Sequence, residues 1–213
     1  MSTDEEIVFV VDDDARMREA LGELLESAGW RAETFATAAD YVAYAKPDLP
    51  ACLILDVELP DINGLDLQRQ IADGDHPPIV FITGHGDISS SVRAIKHGAI
   101  DFLTKPFSDA DLMAAIRTAI DQDRERASER AELYALRQRY LGLTPRERDV
   151  LPLVVSGLLN KQAAAELGIS EVTLQIHRRN VMQKMAAASL ADLVRIAEKL
   201  QIPVTHSRRS GSS

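Results

Sequence analysis

The chain has 213 residues, of which 46% are hydrophobic, and a formal net charge of −9, so it can form one large domain or two small ones with packed cores. No apolar run approaches the roughly 20 residues that a membrane-spanning helix needs, and the first six residues are acidic, unlike a signal peptide; we therefore expect a cytoplasmic protein without a membrane partner. The single cysteine, Cys52, excludes a disulfide framework and a cysteine-based metal site.

Four short apolar runs in the first half of the chain each lead into a residue that phosphoryl chemistry can use. The runs are Ile7–Val11, Cys52–Leu55, Ile79–Ile82 and Phe102–Leu103, and they lead to Asp12 with Asp13, Asp56, Thr83 and Lys105. Amphipathic stretches long enough for a helix separate them, which is typical of buried parallel strands with crossover helices. Ligands bind at the carboxyl ends of the strands in such a sheet, so these polar residues are expected to converge.

The residue types at these strand ends suit phosphoryl transfer. A carboxylate can attack a phosphoryl group when the negative charges are neutralised, and Mg²⁺ does so with two or three carboxylate ligands. A lysine and a hydroxyl group beside the phosphoryl oxygens complete such a site. Taken singly, an acid here could cap a helix, Lys105 could be a surface residue and Thr83 a strand residue. Their joint occurrence favours the phosphoryl site.

The alternation of strands and helices stops near Ile120. Residues 121–142 begin with an almost wholly charged stretch, which predicts a solvated helical linker. An apolar seam follows at spacings of three and four, and its members are Leu133, Leu136, Tyr140 and Leu143. The seam either mediates self-association or docks the linker onto one of the domains. The tail at residues 203–213 has nothing to bury and is predicted to be disordered.

Residues 143–200 predict four helices and no strand. Thr144, Pro145 and Glu147 form the pattern of a capping box with proline at the first helical position. The other predicted helices start after Asn160 and end at Leu167 with Gly168 as C-cap, run from Ser170 to about Met185, and start at Ser189. Residues 143–213 contain 10 basic and 6 acidic side chains, whereas residues 1–120 contain 9 basic and 22 acidic ones. This asymmetry favours nucleic-acid binding by the C-terminal part alone.

The third of these helices has two different faces on a helical wheel. Leu174, Val181 and Met185 form a core stripe. The opposite face mixes apolar and hydrogen-bonding side chains, namely Val172, Gln175, Ile176, Arg179 and Gln183. This mixture suits the DNA major groove, where such side chains read base edges and thymine methyl groups. The flanking residues Thr173, His177, Arg178, Asn180 and Lys184 suit phosphate contacts. The alternative is a protein interface on a small helical domain.

The strand ends carry four motifs in a characteristic order. They are Val10-Val11-Asp12-Asp13-Asp14, Leu55-Asp56-Val57-Glu58-Leu59-Pro60, Ile82-Thr83-Gly84 and Leu103-Thr104-Lys105-Pro106-Phe107. Over residues 5–120 the chain resembles the receiver domain of bacterial response regulators. The resemblance implies a flavodoxin-like α/β fold with a doubly wound, five-stranded parallel sheet of order 2-1-3-4-5. It implies phosphorylation of Asp56 by a sensor histidine kinase and a Mg²⁺ or Mn²⁺ ion on Asp12, Asp13, Asp56 and the main-chain carbonyl of Glu58.

The same resemblance implies a conformational switch. The Thr83 hydroxyl would move toward the phosphoryl group and Phe102 would turn into the vacated space, which changes the surface of helix 4, strand 5 and helix 5. Lys105-Pro106 resembles a motif whose peptide bond is cis. The loop Leu59-Pro60-Asp61-Ile62-Asn63-Gly64 departs from the commoner Met-Pro-Gly-Met-Asp-Gly form but keeps its proline and final glycine.

The C-terminal motifs include Leu143–Leu151, Asn160-Lys161, Leu167–Ser170 and His177–Lys184. They look like the LuxR-type four-helix DNA-binding domain, and the two domains together resemble FixJ-type members of the NarL/FixJ response regulators. The resemblance adds Lys161 to the DNA contacts. It also implies a dimer interface on the fourth helix, formed by Leu190, Leu193, Val194 and Ala197. The alternative for these four residues is packing against the helix that starts at Pro145.

The expected function is that of a phosphorylation-activated, DNA-binding transcription regulator. Its partners would be a sensor histidine kinase, promoter DNA, RNA polymerase and, on phosphorylation, a second copy of the chain. We expect no enzymatic activity beyond its own phosphorylation and dephosphorylation. Two alternatives are a receiver whose helical domain binds protein, and an aspartate-nucleophile phosphatase. The phosphatase is disfavoured because Ala15 and Arg16 follow the acids where such an enzyme would need a threonine.

Overall fold

The structure is a computed structural model that describes residues 5–72, 74, 76–84 and 88–203, with the backbone alone for residues 88–91. The chain divides into two compact units, Met1–Ser128 and Glu129–Ser213, each with a core of its own. Beyond Pro203, the tail that is predicted to be disordered lies outside the described residues. Among the helices that the structure describes, none has both the length and the apolar composition for crossing a lipid bilayer.

The first unit contains a parallel sheet. Its strands are β1 (Ile7–Val11), β2 (Arg31–Phe35), β3 (Ala51–Asp56), β4 (Ile79–Thr83) and β5 (Asp101–Thr104). They form a five-stranded sheet in the order β2-β1-β3-β4-β5, so the predicted fold class and strand order are confirmed. β1, β3 and β4 are buried along their whole length, as their continuous apolar runs indicate. β2 is a partly exposed edge strand.

Helices cover both faces of this sheet. They are α1 (Ala15–Ser27), α2 (Ala38–Ala43), α3 (Gly64–Ile71), α4 (Ile88–Lys96) and α5 (Asp109–Leu141). Alternate strand residues point to opposite faces, so Leu53 and Phe81 lie in one core while Ile54 and Ile82 lie in the other. With both faces covered, polar side chains that leave the strands can gather only at the ends of the sheet.

The helix α5 continues through most of the stretch that is predicted to be a linker. Two charged residues near the start of that stretch lie within the first unit and bond to other residues of this unit. Asp123 accepts a hydrogen bond from the main-chain N–H of Ala51, at the start of β3 (2.9 Å). Arg124 pairs with Glu6 (2.5 Å), whose other carboxylate oxygen accepts a hydrogen bond from the Trp30 indole N–H (2.7 Å). The charged stretch is therefore not solvated throughout.

The second unit contains the helices α6 (Pro145–Val155), α7 (Asn160–Leu167), α8 (Glu171–Lys184) and α9 (Leu190–Lys199). The predicted capping box is confirmed: Thr144 accepts a hydrogen bond from the Glu147 N–H (3.3 Å), and Glu147 accepts one from the Thr144 N–H (2.8 Å). Gly168 ends α7 in the left-handed conformation at φ +66°, which a glycine adopts without strain. The local capping signals therefore located α6, α8 and α9, whereas α7 begins at Asn160 itself, with Leu159 as its N-cap residue.

The apolar seam at the end of α5 packs in the core of the second unit. Leu136 and Leu143 are 4% and 3% exposed, and Tyr140 packs beside them. The Arg148 guanidinium lies over the Tyr140 ring, 5.7 Å from its centroid, and donates a hydrogen bond to the main-chain oxygen of Leu141 (2.8 Å). Of the two alternatives for the seam, the structure favours docking onto a domain.

We predict that Leu136→Ala destabilises the second unit by roughly 2–5 kcal/mol, because it leaves a cavity in a packed core. Tyr134→Ala is the matched control: Tyr134 is on the same helix but 66% exposed, so its loss should change the free energy of unfolding by only about 0.5 kcal/mol. Urea unfolding followed by far-UV circular dichroism measures both, with the fluorescence of Trp30 as a reference for the first unit. Equal effects of the two substitutions would contradict the docked seam.

Candidate functional site

The carboxyl ends of β1 and β3 bring three acids together. One carboxylate oxygen from each of Asp12, Asp13 and Asp56 lies within 4.8 Å of the others. The strand register explains this closeness, because Val11 is paired with Leu55, and Asp12 and Asp56 are the next residues at the same end of the sheet. Asp12 and Asp56 are buried, whereas Asp13 is exposed.

Lys105 lies between the two buried acids. Its Nζ is 2.7 Å from Asp12 Oδ2 and 2.6 Å from Asp56 Oδ2. The other oxygen of each carboxylate accepts a hydrogen bond from the main-chain N–H two residues further along the chain. Asp14 donates to Asp12 (2.8 Å), and Glu58 donates to Asp56 (2.9 Å). The two carboxylates are thus held in the same way and share one ammonium group.

Burial and the shared ammonium group together affect the ionisation of Asp56 and Lys105. Burial raises the pKa of Asp56, and the charge of Asp12 adds to this; the hydrogen bonds from Lys105 and the Glu58 N–H oppose the rise without reversing it. Burial would lower the pKa of Lys105, but its bonds to Asp12 and Asp56 raise it above its usual value. Lys105 therefore stays protonated between Asp12 and Asp56.

The donor set of this cluster fits a divalent cation. Carboxylate oxygens are the hard ligands that Mg²⁺ and Mn²⁺ prefer, and these ions commonly take few protein ligands and complete their shell with water and phosphate. Three such oxygens stand close together with one face open to solvent at Asp13. The residues predicted as metal ligands are therefore of the right type and in the right neighbourhood.

Thr83 and Phe102 lie on the strands beside this cluster. Thr83 ends β4, is fully buried, and its main-chain oxygen accepts the Lys105 N–H (2.7 Å). Phe102 is partly buried in β5, with its ring centroid 6.1 Å from that of Phe81. The Lys105–Pro106 peptide bond is cis, as the resemblance implies. The switch roles of Thr83 and Phe102 stay predictions.

Two further residues shape the site and carried little signal in the sequence. Arg18 donates a hydrogen bond from its guanidinium to the main-chain oxygen of Asp12 (2.7 Å). The Gly64 N–H donates to the Val57 oxygen (2.9 Å), and a Cβ atom on Gly64 would fall on the main-chain oxygen of Asp56. The loop motif indicates that Gly64 shapes a turn, but its closeness to Asp56 becomes visible only in the folded chain.

In the second unit, α8 has the two faces that the wheel predicts. Leu174, Val181 and Met185 are buried. Val172 and Ile176 are 68% and 55% exposed although both are apolar. The other exposed residues on or near this face are Thr173, Gln175, Arg179 and Gln183, with Lys161 exposed on α7, while His177, Arg178 and Asn180 are half-buried. DNA contacts by this surface stay predictions.

Comparison with known proteins identifies both units. The response regulator receiver domain matches residues 8–117, and the domain of bacterial regulatory proteins of the luxR family matches residues 141–197. The chain belongs to the two-domain response regulators. It is a phosphorylation-activated transcription regulator with an N-terminal receiver domain and a C-terminal LuxR-type DNA-binding domain.

The similarity to individual response regulators extends over nearly the whole chain. The chain is 47% identical to Nodulation protein W of Bradyrhizobium diazoefficiens, over 96% of this chain and 90% of that protein. It is 45% identical to the response regulator protein TmoT of Ectopseudomonas mendocina, over 94% and 92%. The solved structure of the response regulator StyR matches with 48% identity and a TM-score of 0.80, over 92% of this chain and 99% of that one.

Two cations of the DNA-binding domain are already bonded to other helices. Lys184 pairs with Glu147 (Nζ to Oε2, 2.7 Å), an acid that is 3% exposed at the start of α6. Arg178 donates a hydrogen bond to the side chain of Asn160 at the start of α7 (2.9 Å). The sequence suggests phosphate contacts for both cations. In the structure Lys184 neutralises the buried charge of Glu147. Phosphate contacts by Lys184 and Arg178 stay predictions.

The predicted dimer residues on α9 divide into two pairs. Leu193 and Ala197 are 0% and 1% exposed and pack in the core of their own domain, so the prediction that they contact a second copy is wrong for this structure. They follow the alternative, packing within the four-helix domain. Leu190 is exposed and Val194 is half-buried, and a dimer contact by these two stays a prediction.

The Glu147–Lys184 pair predicts a pH-dependent stability. Burial raises the pKa of Glu147, but hydrogen bonds from Lys184 and from the Thr144 N–H outweigh burial and lower it from 4.5 to about 2. Because the folded pKa lies below the usual value, ionised Glu147 stabilises the domain above pH 4.5, and this contribution is lost as the pH falls toward about 2.

We expect Glu147→Gln to cost roughly 1–3 kcal/mol at neutral pH, and the difference from the wild type to shrink as the pH falls through this window. Urea unfolding at several pH values measures it. Glu166→Gln, at an exposed position on α7, is the control and should show no such trend. A difference between the wild type and Glu147→Gln that is independent of pH would refute the assignment.

Proposed function

We propose that Asp56 is the phosphoacceptor of the receiver domain and that its phosphorylation by a sensor histidine kinase controls promoter binding by the C-terminal domain. The observation that carries this proposal is the pairing of Asp56 with Lys105 inside the acid cluster at the open end of the sheet. Burial raises the pKa of Asp56, and the Glu58 N–H donates a hydrogen bond to its carboxylate. The carboxylate is therefore a reactive group in a fixed orientation.

The chain's own residues have distinct roles in the proposed transfer. A carboxylate oxygen of Asp56 forms a bond to phosphorus as the bond from phosphorus to the kinase histidine breaks, and that histidine takes up a proton. Lys105 holds its positive charge beside the transferred oxygens. A Mg²⁺ or Mn²⁺ ion held by Asp12, Asp13, Asp56 and the Glu58 carbonyl would neutralise the repulsion between the carboxylate and the incoming phosphoryl group.

The proposed output combines the buried switch with the surface of α8. Thr83, next to the cluster, moves toward the phosphoryl oxygens and Phe102 turns inward, which shifts the receiver between two pre-existing states. The acidic receiver and the basic C-terminal part then act on different partners, and α8 with Lys161 contacts promoter DNA.

We also propose a homodimer through Leu190 and Val194, RNA polymerase as a partner at the promoter, and a cytoplasmic location. The chain would turn over no substrate other than its own phosphoaspartate.

The phosphoacceptor proposal is tested with Asp56→Asn. Incubated with a small-molecule phosphodonor and Mg²⁺, the wild type should gain one phosphoryl group by mass spectrometry and bind promoter DNA more tightly. Asp56→Asn should show neither change, because the amide is not a nucleophile for phosphorus. Asp66→Asn, which removes a half-buried acid of α3 that pairs with Arg69, should respond like the wild type. A full response of Asp56→Asn would overturn the proposed switch.

The DNA contact of α8 is tested by comparing two exposed arginines of the same domain. Arg179→Ala on α8 should weaken binding to promoter DNA by about 1–3 kcal/mol, whereas Arg195→Ala on α9, which removes the same charge, should have a much smaller effect. Fluorescence anisotropy at several salt concentrations measures both. Equal losses would place the contact elsewhere. Failure of the phosphorylated full chain to enrich any sequence from random duplexes would favour the protein-binding alternative.

A further inference from the structure

A carboxylate in the loop after Asp56 reaches across to another helix. Asp61 accepts hydrogen bonds from the main-chain N–H groups of Ala38 (Oδ1, 3.3 Å) and Ala39 (Oδ2, 3.0 Å), the first two residues of α2. Thr37, the N-cap residue, accepts the N–H of Asp40 instead (3.1 Å). Asp61 therefore satisfies two free N–H groups of the first turn that the helix and its own cap leave without an acceptor.

The base of the same loop is also fixed. The Gly64 N–H donates to the main-chain oxygen of Val57 (2.9 Å), and Glu58 forms an antiparallel bridge with Asn63. Glu58 is the residue whose main-chain carbonyl belongs to the proposed metal ligands. Its position therefore depends on a loop that is closed at the base and tied at Asp61 to α2.

The segment that Asp61 holds leads back to the other metal ligands. The main-chain oxygen of Phe35, the last residue of β2, accepts the N–H of Asp12 (3.2 Å). The first turn of α2 follows β2 closely in the chain and carries the two N–H groups that bond Asp61. Asp61 thus links the loop of Glu58 to the strand end that positions Asp12. α2 follows β2 and Lys105 follows β5, and these two strands lie at opposite edges of the sheet.

We propose that Asp61 is a positioning residue of the metal site, which holds the Glu58 carbonyl at a fixed place relative to Asp12 and Asp13. The proposal rests on the proposed function of the cluster. Residues that orient metal ligands typically change metal affinity roughly 10–100-fold when they are replaced, because the free protein must then order the ligands on binding. The commoner form of this loop has glycine at this position, which offers no side chain to α2.

The test is Mg²⁺ titration of the full chain by isothermal calorimetry, without a phosphodonor. Asp61→Ala should bind Mg²⁺ about tenfold more weakly than the wild type. Asp61→Asn should lie between the two, because its amide oxygen can still accept the Ala39 N–H. Asp66→Asn is the matched control: it removes the same charge from a half-buried position of α3, where Asp66 pairs with Arg69 rather than with α2, and its Mg²⁺ affinity should be that of the wild type.

A second readout separates positioning from general damage. With a phosphodonor, Asp61→Ala should need about tenfold more Mg²⁺ for half-maximal phosphorylation but reach the wild-type rate at saturating Mg²⁺. Wild-type Mg²⁺ affinity in Asp61→Ala, or an equal loss in Asp66→Asn, would overturn the role of Asp61. If the wild type bound Mg²⁺ but took up no phosphoryl group on Asp56, the proposed function would fail while the calorimetric comparison still decided the role of Asp61.

Discussion

The repulsion among three carboxylates at one end of the sheet is the constraint on which the receiver domain depends. Asp12 and Asp56 are buried side by side, and Lys105 bridges them. Such a cluster stabilises a fold weakly, because the desolvation of its charges offsets their attraction to one ammonium group. The apolar strands β1, β3 and β4 must therefore provide the stability that keeps the cluster in place. An added phosphoryl group would change the balance between the negative charges of the cluster and the positive charge of Lys105, while the surrounding strands keep these residues in place.

In the DNA-binding domain a buried acid, Glu147, connects two helices. Glu147 accepts a hydrogen bond from the Thr144 N–H at the start of α6 and pairs with Lys184 at the end of α8, while Asn160 at the start of α7 accepts a hydrogen bond from Arg178. These contacts join both neighbouring helices to α8 through Lys184 and Arg178. The helix is thus fixed through its flanks, and the face with Gln175 and Ile176 is free to meet a partner as a preformed surface.

Local patterns predicted more of this protein than long-range contacts did. The runs of β1, β3 and β4 are apolar because both faces are buried, but β2 is an exposed edge strand without such a run, so its place came from the family resemblance. The capping box lies within four residues and could be recognised directly. Asp61 with Ala38 and Lys184 with Glu147 join residues far apart in the chain, and no spacing rule relates them. The sequence therefore predicted the reactive groups of the site but not the contacts that position them.

On α8 and α9, the exposed apolar residues indicate a partner-binding surface better than the apolar residues as a whole do. A small four-helix domain first satisfies its core, and on α9 that core takes Leu193 and Ala197, which are then lost to any partner. On α8 the core takes Leu174 and Val181, so Val172 and Ile176 stay exposed at a cost in hydration that packing does not offset. Surface residues of this kind are usual where a protein binds a partner. On α8 the candidates for contact lie on the face opposite the core stripe. On α9, Leu190 and Val194 lie next to the buried Leu193 and Ala197, and only burial separates the two pairs.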